Sequence, residues 1–314
     1  MKFIPWRQDR KLNIVQIQTT SVCNSKCICC PYPTSWYKNN PGYMSDELYK
    51  KILTDINEYD PEFSGKFAPY LCNEPFADKN ILERCELAYK YLKNPYVELS
   101  SNMALLNKKK IDETYEMFKR HNFYGKFTMS HHGINKESFE RFMSIPYEKS
   151  RENMIYLLKK FDGQMKISIQ DMAFSLDGKY VMNRFRQVKR YLERLIIDNK
   201  INTNNLSMEP KVFHNRAGNV HIDGWDYDKI VRKIDKTHPF YCIRLMGCLH
   251  IIYTGEVTLC CMDYNRETII NDLNNMSVSE FFKSKEYKDM VDMVTGKKDS
   301  PDNFLCKRCM SPGG

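Results

Sequence analysis

Three cysteines, Cys23, Cys27 and Cys30, stand within eight residues directly after a β-branched run at residues 13–20. A chain with this spacing must deliver three thiols to one short loop at the end of a strand. Three close thiolates can hold an iron–sulfur cluster while leaving one iron without a protein ligand, whereas a structural zinc site wants four protein ligands and a redox dithiol needs two. An iron left open can bind a chelating small molecule, so chemistry is expected there. Cys29 stands beside Cys30, and either could be the third ligand; the spacing favours Cys30.

The chain has 12 cysteines in 314 residues, and its first ten residues contain no apolar run of signal-peptide length. No stretch of about 18 apolar residues occurs, so no membrane span is expected. Clustered thiols without an export signal argue for metal rather than disulfides, and for a reducing, cytoplasmic setting. A hydrophobic fraction of 42% suffices for one large domain and one small one. The net charge of +9 is spread over prospective helix faces such as 107–122 and 184–200, the pattern of a solvated surface and of an anionic small-molecule substrate. No basic block is interleaved with aromatics, so nucleic acid is not expected.

Strand-like and helix-like segments alternate to about residue 212, the signature of parallel βα units. The candidate strands are 13–20, 65–71, 96–100, 125–130, 165–171 and 205–211, and Ser45 reads as an N-cap with Asp46 and Glu47 behind it. Six such units predict an α/β fold, a partial (β/α)6 TIM-like barrel over residues 1–212. Ligands of such barrels sit at the C-terminal ends of the strands. Residues 213–314 form a small cysteine-rich extension, in which the alternation at 249–259 around Thr254-Gly255 reads as a β-hairpin carrying Cys248 and Cys260 at its outer ends. Together with Cys242, Cys261 and the pair Cys306-x2-Cys309, this is ligand spacing for a second metal centre; on spacing alone a structural zinc ribbon is the lesser alternative.

The Cys23-x3-Cys27-x2-Cys30 triplet resembles the radical S-adenosylmethionine (radical SAM) superfamily, although Cys29 stands where that family usually has an aromatic residue. In that family SAM chelates the open iron of a 4Fe-4S cluster, and an electron from the cluster cleaves it to methionine and a deoxyadenosyl radical. Cys72-Asn73-Glu74-Pro75 resembles the family's Gly-Gly-Glu-Pro segment, with both glycines replaced, and implies that Asn73 and Glu74 bind the SAM ammonium. Ser100-Ser101-Asn102 resembles the stretch beside the ligand, which implicates Asn102. Ser130-His131-His132-Gly133 resembles the ribose-contacting segment, which implicates Ser130.

Cys242-x12-Gly255-x4-Cys260-Cys261-x-Asp263 is similar to the opening of the SPASM domain, an extension that binds auxiliary 4Fe-4S clusters. No longer cysteine run follows Cys309, so the pattern resembles the abbreviated Twitch form with one auxiliary cluster, and most closely the aminocyclitol dehydrogenases of that group. The resemblance implies two 4Fe-4S clusters, the second on Cys242, Cys260, Cys306 and Cys309, with Cys248 and Cys261 as competing thiols. His214-Asn215-Arg216-Ala217-Gly218 is similar to the linker that precedes SPASM domains, which implies Arg216 between the clusters, where it could clamp an anion or an alkoxide. Among His131, His132, Asp171 and Glu209, a histidine is the easiest proton acceptor near neutral pH, and His132 is the acid–base candidate.

The expected activity is oxidation of a carbinol in a sugar, cyclitol or nucleotide-linked sugar, with a flavodoxin or ferredoxin-type electron donor. A peptide-modifying maturase and a radical epimerase are the alternatives. About a dozen residues precede the first strand, too few for a peptide-recognition module, which favours the small molecule.

Overall fold

The computed structural model describes residues 12–172, 182–211, 215–220, 232–242, 244–245 and 247–309. The boundary expected at 212 falls outside them. Six strands come in order: β1 (Ile14–Ile17), β2 (Lys66–Ala68), β3 (Tyr96–Ser101), β4 (Gly125–Ser130), β5 (Lys166–Met172) and β6 (Leu206–Lys211). All neighbouring pairs among them are parallel. Between them run α1 (Trp36–Asn39), α2 (Asp46–Tyr59), α3 (Ile81–Tyr91), α4 (Lys108–Arg120), α5 (Lys136–Met143), α6 (Tyr147–Phe161) and α7 (Met182–Asp198). This is the expected α/β plan, an open sheet coiled as part of a barrel.

Local chemistry accounts for the elements. Ser45 accepts from Leu48 N at 3.1 Å and opens α2, whose Tyr49, Ile52, Leu53 and Ile56 are buried. A capping box between Asn135 and Ser138 opens α5. Within the strands, Val97, Leu99, Phe127 and Met129 are fully buried, while the alternate positions Glu98, Lys126, Gln170 and Glu209 carry polar groups. Those polar groups satisfy one another: Lys66 pairs with Glu98 and Lys126 with Glu209, both at 2.8 Å.

The expected hairpin is present as β7 (Cys248–Ile251) and β8 (Glu256–Thr258), followed by β9 (Ile269–Asp272), α8 (Val278–Lys283) and α9 (Lys285–Val294). Its turn needs Gly255, whose φ is +96°. One feature goes beyond the sequence reading: β7 pairs in parallel with β1, so the sheet runs β6-β5-β4-β3-β2-β1-β7-β8-β9. The extension thus continues the barrel's sheet. Its last helices also pack onto α2, with Phe282 stacked on Tyr59 at 4.8 Å. Among the described residues, no helix is long and apolar enough to cross a membrane.

Candidate functional site

The loop after β1 is pinned on two sides. Cys23 N donates to the Tyr32 hydroxyl at 2.9 Å, and Ile28 N and Lys26 N donate to Phe142 O and Met143 O at the end of α5. Ser25 bonds the Cys27 sulfur at 2.9 Å and also donates to Met143 O. Cys23 faces Cys27 and Cys30; Cys29 instead is buried among Phe139, Phe142 and Met143, with Arg216 and Asp171 as its charged neighbours. Burial pushes the Cys23 and Cys27 thiols well up, and Cys29 to about 12. Buried thiols of this kind ionise when a metal replaces the proton, which suits them to hold an iron–sulfur cluster.

Glu74 follows β2 and is 3% exposed. Its carboxylate accepts from Asn102 N after β3 at 2.9 Å and from Phe76 N at 3.4 Å, and Asn102 Nδ2 donates to Asn24 Oδ1 in the cysteine loop at 2.8 Å. Three strand ends are tied together there. Among the described residues no lysine or arginine pairs with Glu74, and burial raises its carboxyl to about 7. Asn73 accepts from Leu71 N, but its Nδ2 is buried with no partner among the described residues. A buried carboxylate awaiting a cation and an unused amide donor fit the ammonium and carboxylate of a bound amino acid group, as in SAM. Behind the segment, a buried ion pair of Arg84 and Asp78 at 2.8 Å holds the turn, Asp78 N donating to Pro75 O.

Ser130 ends β4 opposite Gln170. His131 stacks on Tyr191 with centroids 5.7 Å apart, within an aromatic group that includes Phe139 and Tyr147. His132 accepts from Met172 N at Nδ1 and stands 3.9 Å from Asp171. Burial drops both imidazoles to about 3, so both are neutral at pH 7; for His132, His131 and Arg216 add to the shift.

Arg216, Ala217 and Gly218 form three consecutive left-handed residues, with φ of 49°, 57° and 79°. Such a run is strained for the first two, and it is held by Asn219, whose N and Nδ2 donate to Arg216 O. The Arg216 guanidinium reaches Met262 Sδ at 3.9 Å and has Tyr264, Cys29, Cys30 and Cys261 as electrostatic neighbours. It therefore lies between the N-terminal triplet and the C-terminal cysteines.

Cys242, Cys260, Cys306 and Cys309 line one pocket, otherwise walled by apolar groups and Arg244. Cys248 and Cys261 are not on its wall. Among the described residues, at either set of cysteines, no three His, Cys, Asp or Glu side chains are placed to hold a single metal ion. Four thiols on the wall of one mostly apolar pocket are a donor set that suits an iron–sulfur cluster. Asp263, fully buried, fixes the loop that carries Cys260 by accepting from Thr258, Thr268 and Glu267 N.

Sequence reasoning missed Asn24, Tyr32 and Tyr264. Asn24 stood inside the quoted triplet as a spacer residue. Tyr264, one position past the quoted Asp263, contacts Cys30 across 234 residues of chain, and no local pattern signals such a pairing.

Residues 242–310 match the family model of SPASM, an iron–sulfur cluster-binding domain. A curated relative, the S-adenosyl-L-methionine-dependent 2-deoxy-scyllo-inosamine dehydrogenase of Niallia circulans, is 23% identical over 149 residues, which is 48% of this chain and 56% of the relative. The match thus spans little more than half of that relative's length. The crystal structure of BtrN in complex with AdoMet and 2-DOIA superposes with a TM-score of 0.58 at 15% identity, covering 96% of this chain and 94% of that one. Streptococcus suis SuiB bound to precursor peptide SuiA superposes with a TM-score of 0.53 at 13% identity, covering 96% and 76%. The chain shares the fold of these S-adenosylmethionine-dependent proteins, and its residues 242–310 match the SPASM model of iron–sulfur cluster-binding domains.

Proposed function

We propose that this protein is a radical SAM oxidoreductase that dehydrogenates a carbinol of a small polyhydroxylated molecule, a sugar, cyclitol or nucleotide-linked sugar. The observation that carries the reading is that four thiols share one pocket, with Arg216 between it and the N-terminal triplet. In this proposal Cys23, Cys27 and Cys30 hold one 4Fe-4S cluster, and Cys242, Cys260, Cys306 and Cys309 hold a second in a domain that starts near residue 213. Asn73, Glu74, Asn102 and Ser130 bind SAM. When bound, these groups supply a radical that removes hydrogen from a carbinol carbon, and an acceptor for the second electron. The chain's own residues position and exchange protons. Arg216, a permanent cation with a fork of donors, holds the carbinol oxygen as its negative charge develops. His132, neutral at pH 7, takes the hydroxyl proton on Nδ1 by giving up its bond from Met172 N, and Asp171, 3.9 Å from that nitrogen, stabilises the imidazolium. A flavodoxin or ferredoxin-type protein supplies electrons.

The second reading is a peptide-modifying maturase, favoured by the fold shared with a protein solved with a precursor peptide. One experiment separates the readings. With a substrate deuterated at the carbinol carbon, deuterium should appear in deoxyadenosine, one SAM being consumed per two-electron-oxidised product. Label retained in a product isomeric with the substrate points to another fate of the radical, and label arriving from a peptide side chain gives the reading to the maturase.

A further inference from the structure

The Tyr264 ring is 7% exposed and packs with Tyr32, Tyr37, Cys72 and Ile252. Its backbone is fixed from both sides. The preceding residue, Asp263, is anchored by its carboxylate, Tyr37 donates to Asp263 O at 3.2 Å, and Trp36 N donates to Tyr264 O and to Asn265 Oδ1, each at 3.2 Å. Arg266 lies over the Trp36 ring at 4.2 Å. Residues 263–266 thus clamp the segment that leaves the cysteine loop. Packing alone would be served by a phenylalanine; a buried hydroxyl needs a hydrogen-bond partner.

That partner is the Cys30 sulfur. As a free thiol, Cys30 Sγ donates to the Tyr264 oxygen at 3.7 Å. A thiolate that ligates iron has no proton to donate, so the direction must reverse and the phenol, protonated at neutral pH, becomes the donor. Arg216, the charged neighbour of the ring, is a donor only and cannot take that proton.

We propose that Tyr264 is a positioning residue that acts through Cys30: its hydroxyl donates to the Cys30 thiolate when this holds the N-terminal cluster, and thereby raises the cluster's reduction potential. This rests on the assignment of the triplet made above. A hydrogen bond to a ligating sulfur stabilises the more negative, reduced state of the cluster, which makes it easier to reduce. The loop that begins at the auxiliary thiol Cys260 would in this way set the poise of the other centre.

The test uses the full chain reconstituted with iron and sulfide, in a redox titration followed by electron paramagnetic resonance, the N-terminal signal being the one that changes on adding SAM. Tyr264→Phe should keep its iron and its response to SAM. At the native midpoint its ratio of reduced to oxidised cluster should fall about threefold, a shift of ~30 mV to more negative potential for one electron. An exchangeable deuteron coupled to the native cluster in D2O should be missing from the variant. Incorporation of 3-fluorotyrosine at position 264, a more acidic donor of nearly the same shape, should move the potential the other way. An unchanged potential with the deuteron signal intact in Tyr264→Phe overturns the proposal. If that variant loses iron, an unchanged potential in the fluorotyrosine protein overturns it instead. Native protein with four irons and no SAM-responsive signal would remove the triplet assignment itself.

Discussion

Glu74 concentrates the residue-scale argument, because it is a buried carboxylate fastened to backbone donors and lacking a cation among the described residues. Glu74→Ala should weaken SAM binding by on the order of 10- to 100-fold without loss of iron, since a charge-assisted hydrogen bond is worth about 1.5–3 kcal/mol. Burial lifts the carboxyl to about 7, so below that pH the group is neutral in the free protein. Pairing with an ammonium then requires proton release. SAM affinity should rise by roughly tenfold per pH unit up to about pH 7 and level off above it, with a flat profile in Glu74→Gln. Calorimetry in buffers of different ionisation enthalpy measures both affinity and released protons; unchanged affinity in Glu74→Ala would reduce the segment to a turn. Glu74 was legible in the sequence because a carboxylate before proline at a strand end is a local pattern. The raised carboxyl was not, because it depends on what three separate strand ends exclude from water.

At the scale of elements, the cysteine loop and the C-terminal hairpin should be separable. Replacing Cys23, Cys27 and Cys30 together by Ala should cut iron from about eight to about four per chain and abolish deoxyadenosine formation, while the charge-transfer absorption of the remaining cluster persists. Deoxyadenosine from the triple variant under dithionite would show the triplet assignment to be wrong, and stoichiometric zinc in the native protein would sink the iron reading altogether. The parallel strands could be read from β-branched runs with turn residues between them, and β4 keeps its expected bounds of 125–130. Ends were overextended where the chain leaves the sheet to build the site: residues 18–20 and 69–71 lie beyond β1 and β2. The pairing of β7 with β1 had no signature in the sequence. Alternation marks a strand but never names its neighbour, and these two are more than 230 residues apart.

For the whole molecule, the continuous sheet ties the two thiol sets to one framework. The loop bearing Cys23 leaves β1, and the hairpin ending at Cys260 begins with the strand hydrogen-bonded to β1. A chain cut after residue 212 should therefore fail as an independent unit. Without β7, the backbone of β1 presents an unpaired edge, and such edges recruit other chains. Size-exclusion chromatography should find the fragment aggregated; a monomeric fragment that still binds iron would show that the barrel stands alone.

The same pairing has a consequence for biosynthesis. β1 leaves the ribosome well ahead of its final partner, which emerges only after more than 230 further residues. At ordinary synthesis rates of about 5–20 residues per second, that edge waits on the order of ten seconds or more. Throughout that interval the sheet of the first six strands keeps its β1 edge unpaired, and contacts so distant in sequence are slow to close. Shielding of the nascent chain by a chaperone, rather than the availability of iron alone, is then a step that sets the yield of active protein.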